Sequence, residues 1–398
     1  MRFLICIALV GWGLGYDVHV APMVGYTSNH FRFLMRQLSS DAVLWSEMIK
    51  PDDLLSSSTQ RQASILRRGA EREGSEVVQF GGDSASELAL CCRLARDYGY
   101  NEINLNCGCP SIETNAHFGA NLMREPAAVS RLLDSMAHSI NGEIPISVKC
   151  RIGTHDTYKT VCEDRYEVLH SFVSEVTRSG AVQRVVIHAR SAVLQGLCPD
   201  KNRCVPPIRY DFVHDISRDF PNLEIFLNGG VTAINRTMVV DNLSGVMVGR
   251  QFLRRPLDLL LVDAASGDRS EEVRAMSAFL AYARYASSEL QSPGAVPAEV
   301  VQPFALLLNS LLSDVESPRD APDSLRLLKL LLEAMVPVLA QTSASAASSL
   351  IAVERQLESC CDGDKESLVD AGARMQKILK TILGKKLAAK IKNNCAEN

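Results

Sequence analysis

Eight short β-branched runs, each followed by a polar loop and a helix-spaced apolar segment, fill about the first 265 residues of this 398-residue chain. The runs are Val18–Ala21, Ala42–Trp45, Glu76–Phe80, Ile103–Asn106, Ile144–Lys149, Arg184–His188, Leu223–Asn228 and Gly245–Gly249. Between them lie segments such as Ala85-Leu88-Ala89-Cys92 and Tyr166-Leu169-Phe172-Val173-Val176, which carry the three-and-four spacing of an amphipathic helix. Eight such units over about 250 residues predict an α/β chain folded as a (β/α)8 TIM barrel over residues 17–265. A doubly wound open sheet is the alternative; no G-x-G-x-x-G opens the first helix, which counts against a dinucleotide fold.

After the polar break Ser266-Gly267-Asp268-Arg269-Ser270 the β-branched runs stop. Leu- and Ala-rich patterns take over: Met276-Phe279-Leu280-Ala283, Phe304-Leu307-Leu308-Leu311-Leu312 and Leu325-Leu328-Leu332-Met335, punctuated by Gly294, Pro297, Pro318 and Pro322. They predict an all-helical C-terminal domain over 272–398, a bundle of several short helices. Residues 1–16 form an apolar extension. Its charged start and short apolar stretch (Arg2, then Phe3 to Val10) read as a targeting segment, as an apolar segment closing the bottom of the fold, or as an imperfect start site.

Composition narrows the function classes. Hydrophobic residues are 46% of the chain, enough for a full core, and the net charge of −4 excludes a histone-like polycation. A local basic patch on an acidic average is still open. The twelve cysteines contain no C-x-x-C, so zinc-ribbon and thioredoxin readings have no basis and no metal is expected. Unpatterned thiols in a large chain point to a reducing, cytoplasmic compartment, with an organellar one if residues 1–16 are a targeting signal. No run reaches about eighteen uninterrupted apolar residues, so no membrane partner is expected.

In a barrel the chemistry sits at the C-terminal ends of the strands. Those ends read Met23, Glu47, Gln79, Asn106 with Cys109, Lys149, His188, Asn228-Gly229-Gly230 and Gly249-Arg250. One polar strand end is usually incidental; eight in register point to a shared site. Gly229, Gly230 and Gly249 expose backbone N–H groups where such barrels bind phosphate, and Arg250 adds a charge-assisted partner. Ordinary turns also use glycine, so either group alone would be weak. Lys149 ends a buried strand and needs an anion; with His188 it suits the electron-rich edge of a flavin ring, although a lone histidine is more often a satisfied core residue. Cys109, in Asn106-Cys107-Gly108-Cys109-Pro110, sits on a tight loop where a thiol can give up a proton. Spacing does not choose between Cys109 and Cys107.

These segments resemble the tRNA-dihydrouridine synthase family, in its DusA-like branch acting on uridines 20 and 20a of the D-loop. The resemblance is carried by Ala21–Thr27, Val78–Gly82, Asn104–Ser111, Phe118–Ala120, Val148–Gly153, His188–Arg190, Gly196–Tyr210, Asn228–Gly230 and Val246–Arg250, in the family's order. It implies FMN bound by Pro22, Met23, Gln79, Lys149, His188, Asn228, Gly229, Gly230, Gly249 and Arg250. It implies Cys109 as proton donor, which settles the choice over Cys107, and tRNA contacts at Asn106, Asp200 and Arg203. The implied reaction is NADPH-driven reduction of uridine to 5,6-dihydrouridine, with hydride from reduced FMN to C6 and a proton from Cys109 to C5. The base must leave the RNA stack for its edge to be reached. NADPH and tRNA are the implied partners, with no stable protein partner.

Three departures stand out. Asn121 replaces a cysteine frequent in this branch, an extra stretch around Thr157-Val161-Cys162 lengthens the loop after strand 5, and Asp200 is acidic where lysine is usual. Two other classes compete. An FMN barrel reducing a free small molecule, of dihydroorotate or enoate type, explains neither the Gly196–Tyr210 loop nor the helical domain. A non-enzymatic RNA-binding protein does not explain an intact Lys149, His188 and Cys109.

An acidic protein acting on a polyanion needs a segregated basic surface. The densest basic segment is Arg374–Lys392, read either as a solvated helix face or as a phosphate-binding edge of the helical tRNA-binding domain. Changing Lys385, Lys386, Lys390 and Lys392 to Gln should weaken tRNA binding and lower the slope of log affinity against log salt by about one unit for each phosphate no longer engaged. Titrations at several salt concentrations check this; an unchanged slope would mark the segment as scaffold.

Overall fold

The computed structural model describes residues 17–69, 74–110, 118–231, 242–263, 270–315, 321–343, 347–353, 374, 377 and 378. The apolar segment 1–16, the break at 266–269 and the lysines beyond Lys377 lie outside them. By contacts the chain divides into a barrel unit, Tyr16–Thr27 with Asp41–Gly249, and a helical unit that takes Ser28–Ser40 with Arg250 onward.

In the barrel unit the eight expected runs become strands β1 (Asp17–Val20), β2 (Val43–Ile49), β3 (Glu76–Phe80), β4 (Glu102–Cys107), β5 (Ile146–Arg151), β6 (Val182–His188), β7 (Glu224–Asn228) and β8 (Gly245–Val248). Each pairs in parallel with its sequence neighbours, and β8 closes on β1 with Asp17 opposite Gly245. The sheet is therefore a closed barrel and not the open alternative. β3 and β4 are buried along their whole length, as strands covered on both faces must be.

The helices between the strands show why the apolar spacing worked. We label α1 Asn29–Leu38, α2 Ala85–Asp97, α3 Pro126–Ser139, α4 Tyr166–Thr177 and α5 Tyr210–Asp219. α2 starts at Ser84, whose hydroxyl caps the Glu87 N–H, and buries Leu88, Cys91, Cys92 and Ala95. α4 buries Leu169, Phe172, Val173 and Val176, the stripe its spacing predicts. Inside the barrel Trp45, Val77, Val186, Phe226 and Met247 pack together with Ala21. The Trp45 indole donates to His19 Nδ1 at 3.2 Å. Two additional two-residue strands, Thr154–His155 and Ala192–Val193, pair just beyond the ends of β5 and β6.

In the helical unit α6 (Glu271–Leu290), α7 (Pro297–Val315) and α8 (Ala321–Ala340) are long helices, not the several short ones expected. Pro297 opens α7, while Pro303 and Pro337 lie inside α7 and α8. A proline there removes one backbone bond, a loss that buried leucines on both helices outweigh. The buried stripe of α6 is Ala275, Ala278, Phe279, Tyr282 and Ala286, one residue out of phase with the expected one, so Leu280 is exposed. α1 packs in this unit: the Phe33 and Tyr285 rings stack at 3.9 Å, and the Tyr285 hydroxyl meets His30 Nδ1 at 2.8 Å. Asp263 accepts from the Ser39 hydroxyl and, at 2.6 Å, from the Ser40 N–H.

Closure has a steric condition at Gly245. A Cβ there would stand 2.2 Å from the Asp17 carbonyl oxygen and 2.6 Å from the Phe226 ring. Because the first obstacle is backbone, Gly245→Ala has to part β1 from β8. It should destabilise the barrel by about 1–3 kcal/mol or more. A urea midpoint equal to wild type would refute this.

Candidate active site

The loop carrying Cys109 is held at both ends of that residue. Asn106, the last polar residue of β4, accepts with Oδ1 from the Gly108 N–H at 3.0 Å and the Cys109 N–H at 2.9 Å. The Cys109 carbonyl accepts from the Ala120 N–H at 2.9 Å. Gly119 has φ +70°, and a Cβ on it would stand 2.4 Å from that carbonyl oxygen, so only glycine lets the two segments meet. Cys109 is partly exposed, whereas Cys107 points into the core and burial pushes its thiol well above the ordinary range. Of the two, only Cys109 offers its sulfur at the barrel mouth.

Arg151, at the end of β5, ties this loop to the next. Its Nε donates to the Gly108 carbonyl at 3.0 Å. Its Nη1 donates to the carbonyls of Ser191 at 3.2 Å and Asn202 at 3.1 Å. Buried Asn202 in turn accepts from the Val193 N–H at 2.7 Å and donates to the Val193 and Leu197 carbonyls. Burial, with the Arg203 charge behind it, lowers the Arg151 guanidinium to about 9. Sequence reasoning passed over Arg151 and Asn202. The available signal was Arg151 lying two residues beyond Lys149, hence on the same face of the same strand.

Lys149 donates to Asn228 Oδ1 at 3.1 Å, and the Asn228 amide donates to the Met247 carbonyl at 2.8 Å. Burial, then the Arg151 charge, lowers Lys149 to about 7. His188 is held well below the usual histidine range by burial and then by Arg151, Lys149, Arg190 and Arg203. It is therefore a neutral imidazole at neutral pH, and its buried Nδ1 has no hydrogen-bond partner among the described residues.

The glycines separate into two kinds. Gly229 and Gly230 have φ of +104° and +70°. A Cβ on Gly229 would stand 3.1 Å from the His188 ring, and one on Gly230 2.5 Å from Ile208. The protein's own packing demands these two. Gly249 is different: its φ is not positive, and a Cβ would meet only Ala21 and the Met23 sulfur, at 3.4 and 3.5 Å. Nothing in the barrel forbids a small side chain there.

The other expected residues fall as follows. Pro22 and Met23 lie just past β1, where the Met23 N–H is held by the Thr27 hydroxyl at 3.0 Å. Gln79 is buried in β3 and bonded to Asn104 and Asn106, both at 2.8 Å. Glu47 lies within β2, beside its irregularity, and accepts from the Gly25 N–H at 2.9 Å. Arg250 opens the short helix Arg250–Arg254 and belongs to the helical unit. Asp200 and Arg203 form an exposed ion pair at 2.5 Å across one turn of 3-10 helix, so the unusual acid is answered by its neighbour. The lengthened loop after β5 forms a 3-10 turn, Tyr158–Glu163. The next residue, Asp164, accepts from the Ser191 hydroxyl and meets His155 Nε2 at 2.7 Å. Asn121 lies in the 3-10 helix Gly119–Arg124. No group able to hold a metal ion occurs among the described residues.

A parallel eight-stranded barrel that presents a partly exposed thiol and a lysine lowered to about 7 at its mouth has the make-up of a (β/α)8 enzyme. Comparison says which kind. The family model described as "Dihydrouridine synthase (Dus)" matches residues 19–291. The tRNA-dihydrouridine(20/20a) synthase of Shewanella oneidensis is 37% identical over 278 residues, 69% of this chain and 79% of that protein. That of Synechocystis is 40% identical over 246 residues, 61% and 70% respectively. The protein of the same name from Pseudomonas putida is 38% identical over 280 residues, 70% and 80%. The chain belongs to the dihydrouridine synthase family.

Lys149 makes a stability prediction. Its folded pKa lies below its unfolded one, so the unfolded chain binds more protons between about pH 7 and the ordinary lysine range. The cost of burying the charge is full below pH 7 and is relieved as pH rises. Cofactor-free Lys149→Met should thus be more stable than wild type at pH 7, with the gap clearly narrower at about pH 9.5 and closed only at the ordinary lysine range. Urea midpoints at both values check it; a gap independent of pH would refute it.

Proposed function

We propose that this chain reduces uridine to 5,6-dihydrouridine in the D-loop of tRNA, at positions 20/20a, with FMN as bound cofactor and NADPH as electron donor. The observation that carries this reading is the Cys109 loop: a partly exposed thiol whose backbone is fixed on both sides, beside a lysine and a histidine in a cation-rich mouth. The names of the relatives support the substrate.

The residues present suit FMN. Gly249 leaves room for an approaching group, and His188 Nδ1 is a buried polar atom still wanting a partner. Lys149 gains its charge when an anion faces it. Pro22, Met23, Gln79, Lys149, His188, Asn228, Gly229, Gly230, Gly249 and Arg250 would hold the cofactor. When bound, FMN supplies the hydride that reduces the C5–C6 double bond at C6.

The chain's own part is to position and to protonate. Cys109 Sγ delivers the proton to C5, from a loop that Asn106, Ala120 and Arg151 keep from drifting. Cys107, with its thiol pushed up in the core, is excluded by place and by acidity. Arg203 and Asp200, exposed on the loop after β6, would contact the RNA, and Asn106, buried beneath the Cys109 loop, would meet it at the inner end of the site. The helical unit carries the broader tRNA surface. A small-molecule reductase of the same barrel type would share the lysine and the glycines but would have no use for that unit.

Two variants test the assignment. Cys109→Ala should keep FMN and still oxidise NADPH while dihydrouridine formation falls about 10²–10⁴-fold, the usual range for a positioned general acid. Cys107→Ala should be far milder. The check is dihydrouridine measured in tRNA and, in parallel, in free uridine. The opposite ranking of the two variants would overturn the proton donor, and equal activity on free uridine would favour the small-molecule reading.

A further inference from the structure

A line of buried polar side chains runs through the barrel from its floor to the Cys109 loop. Glu102, Asn104 and Asn106 alternate along β4 and so share one face, about 13 Å from first to last at 3.3 Å per residue. Gln79 of β3 and Ser147 of β5 stand in register on either side of Asn104. At the mouth Asn106 Nδ2 donates to Gln79 Oε1 at 2.8 Å, and Gln79 Nε2 donates to Asn104 Oδ1 at 2.8 Å. Asn104 Nδ2 donates to the Ser147 hydroxyl at 2.7 Å, and that hydroxyl donates to Glu102 Oε1. Arg184 donates to the other oxygen, Glu102 Oε2. All five members from Glu102 to Asn106 are buried.

The chain of bonds has one direction only. A carboxamide offers one acceptor end and one donor end, so flipping any member sets donor against donor on one side. At the mouth Asn106 Oδ1 faces two backbone N–H groups, which can only donate. At the floor Glu102, paired with Arg184, accepts from Ser147. Both ends therefore impose the same sense on the three amides between them. Reversal would turn the Asn106 NH2 onto the N–H groups of Gly108 and Cys109 and release the loop.

We propose that Glu102, Ser147, Asn104 and Gln79 act as a positioning relay that fixes the Asn106 carboxamide and, through it, the placement of Cys109. Ser147 and Glu102 touch neither loop nor substrate, and their effect passes wholly through Asn106. The alternative is a polar plug that stabilises the barrel and leaves the thiol alone. The inference deepens the reading of Cys109 as proton donor, yet its test reads the thiol itself and stands whether or not that reading holds.

The test is alkylation of the full-length protein by iodoacetamide, with the Cys109 peptide followed by mass spectrometry against the exposed Cys198 and Cys204 in the same digest. In Ser147→Ala the ratio of Cys109 to reference rates should change by at least about threefold, and Ser147→Thr, which keeps the hydroxyl, should restore it. In an Asn106→Ala background the same Ser147→Ala change should add nothing, because the relay then has no end to act on. A smaller change in the single variant, or an equal change in both backgrounds, would overturn the proposal. If Ser147→Ala does not fold, Ser147→Cys, a poorer donor and acceptor of similar shape, takes its place with the same two outcomes. Absence of dihydrouridine formation would refute the proposed function and leave this result untouched.

Discussion

The guanidinium of Arg151 is the point on which the barrel mouth depends. One rigid fork reaches the Gly108 carbonyl on one side and the Ser191 and Asn202 carbonyls on the other. It thereby joins the segment that follows β4 to the loop that follows β6. A lysine has one point of attachment and could not span the three acceptors. Because the fork is buried, its charge is also felt by Lys149 and His188. The same group thus sets both the shape and the electrostatics of the site.

Those electrostatics are lopsided. Lys149, Arg151, Arg190 and Arg203 all bear on His188, and no acid is among the charges that shift it. Burial makes each cation costly, so Lys149 sits near neutrality and His188 is uncharged. Such a site is poorly balanced by itself and well matched to an anionic ligand. Deeper in the barrel the balance is restored: Arg184 meets Glu102 and Glu224, and burial acts on Glu102 against that pairing. The protein gathers positive charge at the mouth and neutralises it at the floor.

The strands were legible because a covered parallel strand must be apolar along its length, and eight such runs leave few folds to choose from. The polar strand ends were legible for the converse reason: Gln79, Asn106, Lys149 and His188 break runs that otherwise have no use for them. The loops were not. That Asp164 would join Ser191 to His155 depends on two loops meeting over β5 and β6, and that Asn202 would bind Val193 depends on how the second loop folds back on itself. Helix spacing gave the face of α4 correctly and that of α6 one residue off, because alanines recur on every side of α6 and mark the period weakly. Arg184 passed as an ordinary strand residue and Glu102 fell just outside the run Ile103–Asn106, since nothing in spacing says that a charge at one strand start will find its partner on another strand.

By itself the sequence determined the number and order of the strands, the helical character of the region beyond them, and the residue types that reach the mouth. Periodicity and composition carry that much, since each is a property of neighbours along the chain. Only the tertiary structure set Cys107 and Cys109 apart, by burying one thiol and lifting the other onto a loop held at Asn106 and Ala120. It alone decided that α1 packs against α6, and which way each buried amide points. Hydrogen-bond direction and burial are set by atoms from strands far apart in sequence. Closure of the barrel brings them together, and no local pattern records the meeting.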